Sequence, residues 1–217
     1  MSNLVCDVMT REVVVATPAT TFRELVRLIE DHHLHALPVV DELGRVVGMV
    51  TESDLLIREE LTEGHLRTPL QRRGRARLTG TTAGEIMSSP VMTVKPSQTL
   101  AQAARLFRRR HLGRMPVVEN DGRLIGIVTR MDLLTVFLRP DEELLAAVHE
   151  AIATVDEAPS CILSATAHDG VVVLQGSAHF LSQLIAVEGL VRQIPGIVHL
   201  DVKAIAVIDD IHGALTP

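Results

Sequence analysis

The sequence predicts a mixed α/β (α+β) protein: two β-α-β-β-α repeats packed as a pseudo-two-fold module, followed by a small α-β-β-α-β domain. Three observations predict it. Residues 7–56 align on residues 85–134 at an offset of 78, without a gap and with 19 identities in 50 positions, the mark of a duplicated supersecondary unit. Within each copy, apolar residues change from extended to helical spacing and back at matching places. The charge then breaks near residue 140: residues 1–140 carry +3 and residues 141–217 carry −9, within a total of −6, as expected of a domain boundary.

Each copy opens on a short extended segment, "VVVATP" or "MTVKP", ended by Pro18 or Pro96, because proline lacks the N–H that would continue a ladder. In "TTFRELVRLIEDHHL", Phe22, Leu25, Val26, Leu28 and Ile29 fall at helical spacing, with Thr20 or Thr21 as N-cap. "TLAQAARLFRRRHL" repeats this with Leu100, Ala103, Ala104, Leu106 and Phe107. "ALPVVDELGRVVGMVT" and "MPVVENDGRLIGIVT" read as hairpins turning at Gly44 and Gly122, where a tight turn favours positive φ. Helices then begin at "ESDLLIREEL" and "RMDLLTVFL". One copy of about 50 residues buries too little surface to be comfortable alone, so two sharing a core are expected.

Beyond residue 140, "DEELLAAVHEAIATV" is an amphipathic helix with an acidic first turn, which suits the helix dipole. "CILSATAHDGVVVLQGSA" is a hairpin turning at Asp169-Gly170, "LSQLIAVEGLVRQI" a helix stopped by Pro195-Gly196, and "IVHLDVKAIAV" a last strand. The expected organisation is repeat one at 1–62, an Arg-rich linker at 63–84, repeat two at 85–139, the acidic domain at 141–208 and a tail at 209–217.

Composition narrows the function. No apolar run approaches the roughly 18 residues of a membrane span, and "MSNLVCDVMTREV" does not have the pattern of a signal peptide. A cytoplasmic protein with Cys6 and Cys161 as free thiols is expected, and a membrane is not an expected partner. With four Phe and neither Tyr nor Trp, the chain has few rings on which single-stranded nucleic acid would stack. Arg72, Arg73, Arg75 and Arg77 in the linker are read as a solvated connector, with nucleic-acid phosphate as the alternative. His32, His33 and His35 form "HHLH", but no acidic or Cys cluster completes a metal site, and a helix-end role is preferred. No P-loop, nucleophile elbow or catalytic constellation appears, so no enzyme activity and no obligatory cofactor are expected.

The repeated motifs "DVMT" and "EIMS", "LHALPVVD" and "LGRMPVVE", and "GMVTESDLL" and "GIVTRMDLL" resemble a tandem pair of CBS domains, a Bateman module, over roughly residues 4–137. The C-terminal segment resembles a BON domain through "HDGVVVLQGSA", a helix and "IPGIVHLDV". The first resemblance implies an adenine nucleotide or nucleoside as regulatory ligand and a homodimer formed through the CBS modules. The second implies membrane-surface or ligand contacts, but this acidic segment is poorly suited to anionic lipid, and contact with a client protein is preferred. A purely structural scaffold is the rival.

An Asp where a strand gives way to a helix can hold ribose hydroxyls, as the acid of dinucleotide folds does. Capping of the helix is the plain alternative. The resemblance implies ribose and phosphate contacts from Thr51, Ser53, Asp54 and His35 at site 1, and from Thr129, Arg130, Asp132, Arg114 and Lys95 at site 2. Arg clamps phosphate bidentately and is always charged, whereas His is only partly protonated near neutrality. With Glu52 standing where the second copy has Arg130, site 2 is expected to suit a polyphosphate and site 1 a less charged ligand. Val15, Ala16, Ala36, Pro38, Val94, Met115 and Pro116 are expected to flank the adenine, with core packing as the alternative.

Overall fold

The computed structural model describes residues 3–56, 80–155 and 162–211. The chain divides into two compact units, Leu4–Arg130 and the segment from Met131 onward. The Arg-rich run at 72–77, as well as Cys161, falls outside the described residues.

In the first unit the duplication becomes a reciprocal exchange. A short helix α1 (Val5–Val8) and the helix α2 (Phe22–Asp31) lead to strands β1 (Ala36–Val40) and β2 (Val46–Thr51), and residues 52–56 are helical. The second copy runs α3 (Ala83–Ile86), α4 (Leu100–Arg110), β3 (Arg114–Val118), β4 (Leu124–Thr129) and α5 (Arg130–Leu134). The last of these reaches across the division between the units.

Thr21, not Thr20, caps α2: its side chain accepts from Glu24 N at 3.4 Å, while Thr20 is buried and its hydroxyl accepts from Thr17 N at 2.9 Å. Thr99 caps α4 in the same way, accepting from Gln102 N at 3.2 Å. The two hairpins are antiparallel and keep equivalent registers, Val39 opposite Gly48 and Val117 opposite Gly126. The extended segments before Pro18 and Pro96 are shorter than the sequence suggests. Each is reduced to a single parallel bridge, Ala16 to Val39 and Val94 to Val117, because proline two residues on ends the ladder.

The start of each copy docks on the other. Val5 N donates to Gln98 O at 2.9 Å, and Ala83 N donates to Thr20 O at 2.8 Å. Thr10 bridges Ile127 on β4, and Ser88 bridges Met49 on β2. The hairpin tips also meet, with Val46 N on Gly122 O at 3.1 Å and Leu124 N on Gly44 O at 3.0 Å.

The repeated Met and Gly residues belong to this exchange. A Cβ on Gly48 would lie 2.1 Å from Met87 Sδ, and one on Gly126 would lie 2.6 Å from Met9 Sδ. Each glycine leaves the space that the other copy's methionine fills. The core of the first copy accordingly contains Ala83 and Ile86 beside Leu25, Leu37, Val39 and Val50.

In the second unit, α6 (Asp141–Val155), β5 (Ile162–His168), β6 (Val171–Phe180), α7 (Leu181–Val191), β7 (His199–Val202) and β8 (Ile205–Ile208) give the α-β-β-α-β order, with the last strand broken in two. β5 pairs antiparallel with β6, while β7 and β8 both run parallel to it. The hairpin turns at Asp169 (φ 48°) and Gly170 (φ 74°), the backbone that a two-residue turn requires. Asp141 ties that turn to α6, accepting from Asp169 N and Gly170 N, each at 2.9 Å. Val148, Val172, Leu174, Val187 and Val191 form its core.

Candidate functional site

The first unit holds a cleft of about 570 Å³, a size suited to a small ligand. β2 ends at Thr51, the next residues turn into a helix, and the cleft forms there. His35, Met49, Thr51, Glu52 and Ser53 of the first copy line it. His111, Leu112, Gly113 and Arg114 of the second copy line the other side. His111 ends α4 in the left-handed conformation, φ 53°, which brings the chain round into β3.

The strand-to-helix turn is held by reciprocal bonds. Asp54 Oδ2 accepts from Thr51 N at 2.8 Å and from Thr51 Oγ1 at 2.6 Å, and Asp54 N donates to Thr51 Oγ1 at 3.2 Å. This is the geometry of a capping box, with Asp in place of Glu. It accounts for the three-residue spacing between Thr and Asp in this copy by local stabilisation. Both bonds to the carboxylate use Oδ2.

Charges gather at the rim. His35 Nδ1 lies 2.8 Å from Glu52 Oε2, with side chains 67% and 45% exposed, and Glu52 N donates to His35 O at 3.1 Å. Burial lowers the pKa of the Arg114 guanidinium from its ordinary value, and the Glu52 carboxylate opposes that shift. Arg114 is thus a partly desolvated cation facing a carboxylate from the other copy.

The structure brings His35, Thr51 and Ser53 together, and it adds Arg114, assigned from sequence to the other set. Asp54 lies behind this rim, bonded to Thr51. Of the second set, Arg114 alone lines this cleft. Lys95 Nζ donates to the carbonyl of Glu119 at the hairpin turn. Arg130 Nε donates to Leu112 O at 2.5 Å. Thr129 closes β4, and Asp132 lies in the first turn of α5, where its carbonyl accepts from Thr135 Oγ1 at 2.8 Å.

Of the residues expected around an adenine, Ala16, Ala36, Pro38, Val94, Met115 and Pro116 are buried, and Val15 is exposed. Ala16 and Val94 bridge the neighbouring strand. None of the seven lines the cleft. His32 and His33 directly follow α2, and among the described residues no group of three His, Cys, Asp or Glu is placed to hold a metal ion. Glu52 and His111 were not assigned to the site from sequence. The contrast between Glu52 and Arg130 at the 78-residue offset was the available signal for the first, and the match of His111 to His33 at the same offset was the signal for the second.

Comparison with known proteins gives the family. The sequence model of the CBS domain matches twice, over residues 5–59 and 83–139, just over half of the chain. The chain belongs to the CBS-domain family. Its CBS pair is 32% identical over 138 residues to the uncharacterized protein MJ1225 of Methanocaldococcus jannaschii, covering 63% of this chain but only about half, 48%, of that protein. It is 32% identical over 127 residues to the CBS domain-containing protein YhcV of Bacillus subtilis, covering 58% of this chain and 80% of YhcV.

Among solved structures, CBSX2 of Arabidopsis thaliana in complex with AMP is similar to the CBS pair at a TM-score of 0.53 and 31% identity, covering 63% of this chain and 97% of CBSX2. The CBS pair of MJ0100, solved with 5′-methylthioadenosine and S-adenosyl-L-methionine, is similar at 0.51 and 25% identity, covering 63% and 97%. Among the described residues, no helix is long and apolar enough to cross a membrane.

Proposed function

We propose that this protein is a non-catalytic regulator whose CBS pair holds an adenine nucleotide or nucleoside: ATP, ADP, AMP or S-adenosylmethionine. The supporting observation is the cleft itself, where Thr51 and Ser53 of one copy and Arg114 of the other offer two hydroxyls and a cation around one space of ligand size. The ligands held by CBSX2 and by the MJ0100 CBS pair support the same chemistry. In this reading Arg114, Thr51 and Ser53 meet phosphate or ribose oxygens, and Asp54 steadies Thr51 or accepts a ribose hydroxyl itself. Thr129, Arg130, Asp132 and Lys95 provide the second set. The ligand shifts the protein only by binding one conformation better than another. The signal passes through homodimer contacts of the CBS modules, or through the C-terminal unit, resembling a BON domain, to a client protein. The setting is the cytoplasm.

A thermal melt with each of the four compounds tests this. Ligand at 100 times its Kd stabilises by about 2.7 kcal/mol. Asp132→Ala is expected to abolish binding at the second set with the fold intact. No shift with any compound at millimolar concentration overturns the proposal and favours a scaffold. One observation supports that second reading: Thr51 and Asp54 already satisfy each other.

A further inference from the structure

We infer that Glu52 is the charge selector of the cleft, favouring adenosine or its monophosphate over the triphosphate; this rests on the ligand class proposed above. The argument starts from the cleft's permanent charges. Among its lining residues there is one invariable cation, Arg114, and one carboxylate, Glu52, so the two cancel before any ligand enters. Glu52 also holds His35 at 2.8 Å, which takes up one of the two histidines lining the cleft. Its backbone is fixed opposite His35 by the 3.1 Å bond from Glu52 N to His35 O, so the carboxylate stays at the rim. Glu52 and Arg114 line the same cleft, and the Glu52 carboxylate opposes the effect of burial on the Arg114 guanidinium.

A monophosphate can share Arg114 with Glu52. Each further phosphoryl group adds negative charge beside a carboxylate without adding a cation, and like charges at this range repel. A neutral nucleoside brings no charge for Glu52 to repel. The other copy carries Arg130 at the equivalent position, and one exchange therefore changes the local charge by two.

The test follows the His35 imidazole resonance by NMR in the full chain, because that ring lines this cleft. The signal is assigned with His35→Gln. Adenosine, AMP and ATP are titrated into wild type, Glu52→Gln and Glu52→Arg. Wild type is expected to bind AMP more tightly than ATP. Glu52→Gln should narrow the ratio about fivefold, the scale of one partly exposed charge interaction. Glu52→Arg should narrow it further, adenosine affinity should not move in either variant, and added salt should shrink the wild-type ratio. If the resonance moves with ligand but the ratio is the same in all three proteins, or if adenosine affinity falls with that of ATP, Glu52 is not a selector and the ligand reading stands. If no compound moves the resonance at millimolar concentration, both fail.

Discussion

The two copies of the repeat share their internal closures and differ at their rims. Gly48 with Met87 and Gly126 with Met9 are the same contact made twice, and the α2 and α4 caps at Thr21 and Thr99 are likewise matched. At the mouth of the cleft the equivalences end. Glu52 stands for Arg130, His35 for Gly113 and Arg114 for Ala36. The comparison teaches that the duplicated scaffold constrains the residues at which one copy completes the other. Position 52 at the mouth of the cleft and its counterpart, position 130, carry opposite charges.

The largest expected effect comes from breaking the shared closure. Gly48→Ala places a Cβ against Met87 Sδ, Cγ and Cβ, at 2.1, 2.7 and 2.9 Å, and overpacking of this kind costs about 1–3 kcal/mol. Chemical denaturation should show the loss, and adding Met87→Ala should return most of it. Gly126→Ala should be harder to rescue with Met9→Ala, because its Cβ also lies 3.0 Å from the backbone carbonyl of Thr10. Equal rescue in both copies would break this part of the comparison.

Next comes the strand-to-helix turn. Thr51→Ala removes the reciprocal bonds to Asp54 and should cost about 0.5–2 kcal/mol, with Thr51→Ser retaining most of the stability. The rim pair is weaker still. His35→Ala should cost less than about 1 kcal/mol by the same measurement, since an exposed ion pair is screened by water and salt.

The smallest effect is a pH dependence at the turn of the first hairpin. Arg45 N, and to a lesser degree the Arg45 side chain and Leu43 N, hold the Asp41 carboxyl below its ordinary value. A depressed folded pKa stabilises the protein above the unfolded value of about 4, and that contribution is lost as pH falls through the folded value. Asp41→Asn should therefore flatten the acid limb of the stability curve slightly.

The regular elements of the repeats were legible because local chemistry specifies them. Thr21 and Thr99 precede helically spaced apolar residues, and the hairpins turn at Gly44 and Gly122. The composition of the cleft was less so. His35 and Arg114 both precede a "PVV" strand and look like counterparts, but the offset pairs them with Gly113 and Ala36, one position apart. Adjacent positions along an extended chain face opposite sides, so the two residues converge on one cleft rather than occupying equivalent places in two. The apolar residues misled in a different way. β1 lies between β2 and the bridge at Ala16, so Ala36, Pro38 and Val39 are all buried instead of alternating. A continuous apolar run looks the same whether it covers a ring or fills a core.

The methionine of one copy seated over the glycine of the other has a consequence for a repeat on its own. A single repeat, released from its sister, would carry both a thioether with nowhere to insert and a bare glycine groove with nothing to fill it. Neither seam closes without the other repeat, so the two halves of the pair depend on each other for their packing.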